Sequence, residues 1–233
     1  MGRRSGRKEN AMKRKHKDNL TAFLFLTPTL VVFIVLVAAP VLFSIFLSFT
    51  DWNFLSGFEG IKWVGLSNFS DLLEDRTFIQ AVGNTFIYTI ATVPVSILIA
   101  LILAYLLNEK VYLKTPLRLC FFIPYISSAV ALAAVFKVLF RENGPINMFC
   151  QHVLQMETPP AWFADSSLNK IPIIIFLIWT AIGYELVIYM AAMQNISPSL
   201  YEAAEIDGAS GFVKFTRITF PLISPTTFYL VIV

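Results

Sequence analysis

Three acids and a glycine cluster between Gln194 and Pro221: Glu202, Glu205, Asp207 and Gly208, with Ala203 and Ala204 among them. These residue types suit recognition of a protein surface better than bond-making. Ser197 is placed to cap a helix whose first residue is Pro198, a position where proline's missing N–H costs nothing. Glu202 and Glu205 fall in its first two turns, and Gly208 is placed to end it in the left-handed conformation that glycine allows. The spacing therefore predicts a helix of about ten residues, bracketed at both ends. Leu200, Ala203 and Ala204 share one side of it, and the small alanines permit close backbone approach. A second short helix is expected around Phe212 and Phe215, before Pro221 opens the next apolar run. An amphipathic connector lying on lipid would be basic, because cytoplasmic leaflets are negative. Three acids favour docking into a groove of a partner protein instead.

Elsewhere, reactive groups are sparse. Glu185 is the one acid inside an apolar run, and Asn84 raises the same question near the start of another. An ionisable group in hydrocarbon is expensive unless it faces protein or water, so Glu185 is a functional candidate by default. It could line a pathway. Alternatively it could hydrogen-bond a neighbouring subunit or be wetted from the cytoplasmic side, and the cost argument favours this structural role. The apolar runs hold no paired acids, no His-Glu zinc motif and no serine–lysine arrangement. His16 and His152 are isolated, and neither a CxxC nor a Gly-rich phosphate loop is present. Neither enzymatic chemistry nor a cofactor or metal is expected of this chain.

The elements that must carry these residues follow from composition. Hydrophobic residues make up 57% of the 233, charged residues only 14%, and mean hydropathy is +0.69; soluble domains carry about 25% charged residues. Runs of 32 residues without charge separate Asp18 from Asp51 and Arg76 from Glu109, and 18 separate Arg118 from Lys137. Each can hold a span of about 20 residues. The expected spans are about 20–49, 81–107, 117–139 and 171–193, with a fifth over 220–233. The fifth run, ending at Val233, covers roughly two-thirds of a bilayer core, so an incomplete last helix is expected. A chain stopping there is expected not to transport alone or with partners, whether it is a fragment or a natural truncation. The first run greatly exceeds the 7–15 or so residues of a signal-peptide core, so it reads as an uncleaved span. The fold class is all-α and polytopic.

Charge placement sets the orientation. Thirteen of 18 Lys and Arg residues lie in the tail before Leu20, in 108–118 or in 194–221, on one side of the spans. The N-terminus is therefore cytoplasmic, and residues 1–19 form a basic cytoplasmic tail whose role is topogenic rather than nucleic-acid binding. Cys120 and Cys150 fall on opposite faces and cannot pair. Pro28, Pro40, Pro94 and Pro124 predict kinked helices that pack against partners or simply tolerate proline as membrane helices do. The segment Asp51–Asp75, with Trp52, Phe54, Phe58, Trp63 and Phe69, is expected along the outer boundary, where aromatics concentrate. Gly144-Pro145 and Pro159-Pro160 mark turns in the second outer loop.

One resemblance joins these readings. Glu202-Ala203-Ala204, then Gly208, then Ile218 and Phe220-Pro221 resembles the EAA motif of binding-protein-dependent ABC permeases, with Phe220 where the family usually has leucine. Leu47–Trp52, Val64–Phe69, Phe121–Tyr125 and Tyr201–Ala209 look like the carbohydrate-importer branch, similar to maltose- or glycerol-3-phosphate-type permeases. The resemblance runs from about Leu20 to the end. It implies a MetI-like permease bundle over 20–233 in the bacterial inner membrane. It further implies a second permease subunit, a pair of cytoplasmic ABC ATPases, an extracytoplasmic solute-binding protein and a sugar-like solute. By the same resemblance Glu202 would meet ATPase groups, Ala203 and Ala204 would allow close seating, Gly208 would permit the turn, and Ile218 and Pro221 would complete the motif. ATP hydrolysis would fall to the partner. Amino-acid, peptide or ion import, or a non-transporting membrane scaffold or sensor, are the alternatives.

Overall fold

The computed structural model describes residues 21–53, 55, 57, 60–108 and 114–233; the basic tail 1–19, Lys110, Phe54 and Phe58 lie outside them. The chain separates into two compact units that meet in sequence between Ala81 and Val82.

The first unit opens with helix α1, Thr21–Leu47, long and apolar enough to cross a membrane. It holds a π turn at Ile34–Ala38, closed by the Ala39 N–H on the Ile34 carbonyl, just before Pro40. Proline cannot donate to the carbonyl four residues back, and its ring crowds that carbonyl; a widened turn accommodates both. A two-residue antiparallel ladder follows, β1 (Thr50–Asp51) with β2 (Lys62–Trp63), pairing Thr50 with Trp63. Among the described residues this is the one β ladder in an otherwise helical chain. Phe49 stacks on Trp63 at 5.6 Å and meets Phe69 of α2 (Ser67–Glu74) at 5.5 Å. Asn68 donates to the carbonyls of Ser48 (2.9 Å) and Thr50 (3.0 Å), pinning α2 to the end of α1.

Helix α3, Arg76–Asn108, begins in the first unit and supplies a long wall of the second. On it Ile97, Ala100, Leu101, Ala104 and Leu107 are buried. Their three- and four-residue spacing makes one stripe, and alanines at 100 and 104 let a neighbouring helix come close. Helix α7, Lys170–Gln194, answers with Leu186, Tyr189, Met190 and Met193 at the same spacing, and α10, Phe220–Ile232, adds Ile223 and Leu230. Most other large apolar side chains face outwards, as on a surface made for lipid.

The third apolar run corrects the expectation of one continuous span over 117–139. It forms α4 (Lys114–Ile126) and α5 (Ala129–Leu139), bent by 98° at Ser127–Ser128. Pro124 sits three residues before the break, and Ser128 is extended (φ −60°, ψ 120°). Ser127 turns its hydroxyl back onto the Ile123 carbonyl at 2.7 Å. Pro94, by contrast, lies inside an unbroken helix. Among the described residues, three helices could span alone, and the bent pair could make a fourth. Backbone meets backbone where α4 crosses α7: a methyl group on Gly183 would collide with the Phe121 carbonyl.

Beyond α5, the loop is organised by α6 (Pro145–His152) and by Asn147, which is 1% exposed. Its amide donates to the carbonyls of Glu142 and Pro160, each at 3.0 Å, and its oxygen accepts from the Trp162 indole at 2.6 Å. Cys150 is buried here and Cys120 is exposed on α4, both as free thiols.

Candidate functional site

The loop from Gln194 to Pro221 folds as two helices and a π turn. Helix α8, Pro198–Ile206, starts with proline at its first position, where the fixed φ already suits a helix. Ser197 occupies the cap position, but its hydroxyl meets that of Ser199 at 2.8 Å instead of capping a backbone N–H. The C-terminus closes as a full Schellman motif. Gly208 has φ +72°, its N–H meets the Glu205 carbonyl at 3.0 Å, and Ala209 N–H meets Ala204 at 2.8 Å.

Helix α9, Gly211–Lys214, is capped by Ser210, whose hydroxyl accepts from Val213 N–H at 3.4 Å. It runs straight into a π turn, Phe215–Thr219, just before Pro221, repeating the arrangement before Pro40. Three side-chain contacts tie this loop together and to the helices. Lys214 donates to Glu205 at 2.9 Å, joining α9 to α8. The hydroxyls of Tyr201 and Thr219 lie 2.9 Å apart, joining α8 to the π turn, and Thr219 is completely buried. From α3, Tyr105 donates to the Gly211 carbonyl at 3.0 Å while its ring meets Phe215 edge-on at 4.9 Å.

What remains outward is a mixed patch. Glu202, Ala203 and Asp207 are exposed, together with Ile206 at 88% and Phe212 at 76%. Ala204 and Ile218 are half-buried, and Pro221 is exposed in the first turn of α10. A rigid helix showing acids beside two bare apolar tips can seat in a cleft that offers cations around an apolar floor.

A second cluster lies within the bundle. Ser96 of α3 donates to Glu185 Oε1 of α7 at 2.8 Å, and Glu185 is 8% exposed. Its Oε2 is buried with no hydrogen-bond partner among the described residues. Beside it is a cavity of about 510 Å³ lined by Thr92, Ser96, Tyr125, Thr180, Tyr184 and Glu185. Thr92 turns its hydroxyl onto the Tyr88 carbonyl. Tyr125 stacks on Tyr184 at 5.2 Å, and the Tyr184 and Tyr229 hydroxyls meet at 3.0 Å. One turn on, Tyr189 donates to Thr227 of α10 at 3.0 Å. Asn84 is not part of this cluster. It is half-buried on α3, 12 residues before Ser96, or about 18 Å along the axis.

Residues 76–233 match the family model described as binding-protein-dependent transport system inner membrane component. The chain belongs to this family. It is a multi-pass transport component of inner-membrane type, a permease subunit rather than an enzyme. The permease is 34% identical over 221 residues to the lactose transport system permease protein LacF of Rhizobium radiobacter, covering 94% of this chain and 72% of that one. Against the probable starch degradation products permease AmyD of Thermoanaerobacterium thermosulfurigenes, identity is 29% over 209 residues, covering 90% and 70%. The arabinooligosaccharides permease AraP of Bacillus subtilis is 31% identical over 209 residues, covering 89% and 65%. The fold is also that of a chain in a bacterial ABC transporter that imports the acidic polysaccharide alginate (TM-score 0.79, 23% identity, 95% of this chain and 74% of that one).

Sequence reasoning reached the acids, alanines and glycine of α8. It missed the side chains that hold that loop, Tyr105, Tyr201 and Thr219, and the one that meets Glu185, Ser96. A signal existed for the last of these, since Thr92 and Ser96 stand one helical turn apart in a run otherwise free of charge.

Proposed function

We propose that this permease forms part of the translocation pathway for a sugar or sugar-like solute in a bacterial ABC importer. In this reading the Gln194–Pro221 loop couples the pathway to a pair of cytoplasmic ATPases. A second permease subunit completes the pathway, and an extracytoplasmic binding protein delivers the solute. One observation carries the coupling role: α8 is closed at its C-terminus, exposes Glu202, Ala203 and Ile206, and is bonded through Tyr201 to Thr219 and through Lys214 to α9. A push on α8 must therefore reach α10 and, through Tyr105, α3.

Glu202 would pair with a cation of the ATPase cleft, Ala203 and Ala204 would let the backbones approach, and Gly208 would turn the chain away. Ile218 and Pro221 would fix the start of α10. Glu185 would serve inside the chain, holding α7 to α3 through Ser96, with the adjoining cavity as a stretch of the pathway; Asn84 would be a polar contact nearer the outer face. Residues 1–19 would be the cytoplasmic tail and 20–233 the transmembrane domain. A sugar cargo is supported by relatives named for lactose, starch products and arabinooligosaccharides.

The test is to replace Glu202 with lysine and Gly208 with valine in the assembled complex, then measure ATPase association and solute uptake in vesicles. Both should fall together. Unaltered coupling in both variants would sink the reading, and intact ATPase binding without uptake of any sugar would turn it towards another cargo.

A further inference from the structure

We propose that the permease holds one phospholipid at its outer face, with an acyl chain in the cavity between α5, the second outer loop and the start of α7, and the phosphate on Lys137. This cavity is separate from the one beside Glu185. It measures about 510 Å³ and is walled by Ala133, Phe136, Phe163, Pro172, Ile173 and Phe176, with Lys137 the one charged residue on its lining.

Four features point to that ligand. First, the walls are carbon, so the part that fills them is hydrocarbon, and the volume lies within the roughly 300–1,000 Å³ of ligand sites. Second, the cavity is braced open. Phe136 is held by ring contacts with Phe140 (5.9 Å), Phe176 (5.1 Å) and Trp179 (5.5 Å), so it cannot swing in to fill the space. Third, Lys137 makes no ion pair or hydrogen bond among the described residues. In the second outer loop the Asp165 carboxylate is taken up by Ser167, through its hydroxyl at 2.7 Å and its N–H at 2.8 Å. Lys137 also stands in the last turn of α5, where the helix dipole favours a cation. An anion is the partner that an ammonium in this position would take.

The fourth feature is depth. Phe163 belongs to the outer loop, and Pro172 and Ile173 to the first turn of α7, so the mouth lies at the outer membrane boundary while Phe176 lies further in. A lysine stem lying along apolar surface with its ammonium at the headgroups is the arrangement such side chains adopt. A phospholipid is the ligand that brings a phosphate and a hydrocarbon chain in one molecule. Free phosphate would leave the apolar walls bare, and an apolar helix of the companion subunit would leave the ammonium unpaired.

The wild-type chain in its full complex, reconstituted in phosphatidylglycerol and phosphatidylethanolamine, can be labelled with a phospholipid bearing a photoreactive group in its acyl chain. Label is expected on peptides containing Ala133–Phe136 and Phe163–Phe176, competed away by excess unlabelled phospholipid. Native mass spectrometry of the detergent-extracted complex then reads retention: Lys137→Gln should lower it by up to about fivefold, the ratio given by about 1 kcal/mol for an exposed ion pair. Lys137→Arg should keep it, and Ala133→Phe should abolish it by filling the cavity. Uniform labelling of all lipid-facing peptides, or unchanged retention in both Lys137→Gln and Ala133→Phe, would overturn the proposal. So would cross-linking of an Ala133→Cys variant to the companion permease.

Discussion

Tyr201 of α8 and Thr219 of the π turn bring their hydroxyls to 2.9 Å across 18 residues of chain, and the Thr219 end is fully buried. The exposed helix is thus fixed to the transmembrane part at a point that water does not reach. Thr219 also leans on the Lys214 carbonyl at 3.4 Å, so one side chain serves both the π turn and α8. Tyr201→Phe keeps the ring and removes the bridge. A loss of about 1 kcal/mol is expected from one neutral hydrogen bond. The more telling result is a lower ratio of solute moved to ATP hydrolysed, with ATPase association retained. Paired uptake and phosphate-release assays in proteoliposomes check this.

Gly208 is bound by its left-handed φ of +72°. An alanine there would have open space around its methyl group, so the penalty is purely conformational, about 1–2 kcal/mol. Gly208→Ala should fray the end of α8 and weaken ATPase association, and Gly208→Asn should be milder because asparagine tolerates this region. Co-purification of the ATPase with each variant gives the order.

Gly183 is constrained by space instead. Its added methyl group would meet the Phe121 carbonyl and the Phe122 backbone, neither of which can rotate away. Gly183→Ala should force α4 and α7 apart and lower stability by roughly 1–3 kcal/mol, the usual range for overpacking. A thermal-unfolding series in detergent would show it, and Gly183→Ser should do no better.

Ser96 and Glu185 form a pair whose members are not worth the same alone. Ser96→Ala removes the one hydrogen-bond partner that the Glu185 carboxyl has among the described residues and leaves a buried acid unpaired, which is expensive. The double variant Ser96→Ala, Glu185→Leu removes both polar groups and should recover much of that loss. Stability of the two singles and the double, measured as a cycle, reads the coupling. Uptake by the double variant then tells whether Glu185 is needed beyond holding α3 to α7.

Asp165 lies outside the spans, and the Ser167 hydroxyl and N–H hold its carboxyl below the ordinary carboxylate range. These bonds favour the ionised form. Their contribution is therefore complete above the unfolded-state value of about 3.9 and is lost as pH falls through the lower, folded-state value. Ser167→Ala should raise the titration midpoint of Asp165 towards that reference, as followed by carboxyl-selective infrared or NMR shifts.

Much of the α8 site was legible because its signals are local. Pro198 at a helix start and Gly208 at its end act through their own backbones, so their positions alone determine the brackets. Long apolar helices were legible for a similar reason: hydrocarbon tolerates few charges, and charge-free runs underlie both Thr21–Leu47 and Arg76–Asn108. The break in the third run was not legible. Pro124 is visible, but Pro94 sits in an unbroken helix, so proline alone does not say which helix parts. The outcome depends on what packs behind it, and that is a long-range fact. Tyr105, Tyr201 and Thr219 escaped notice for the same reason, since a hydroxyl's value lies in a partner far along the chain.

The bend at Ser127–Ser128 has an electrical consequence. Tyr125, two residues before it, stacks on Tyr184 in the middle of α7, which places the parted backbone at mid-depth. The first N–H groups of α5, which the Ser128 side chain does not cap, require either protein polar groups or water at that depth. Wherever water reaches them, the insulating layer ends there, and the membrane voltage falls across the remaining thickness alone. The local field is then steeper than in the surrounding bilayer, and a charge placed near Glu185 would sense only part of the full potential.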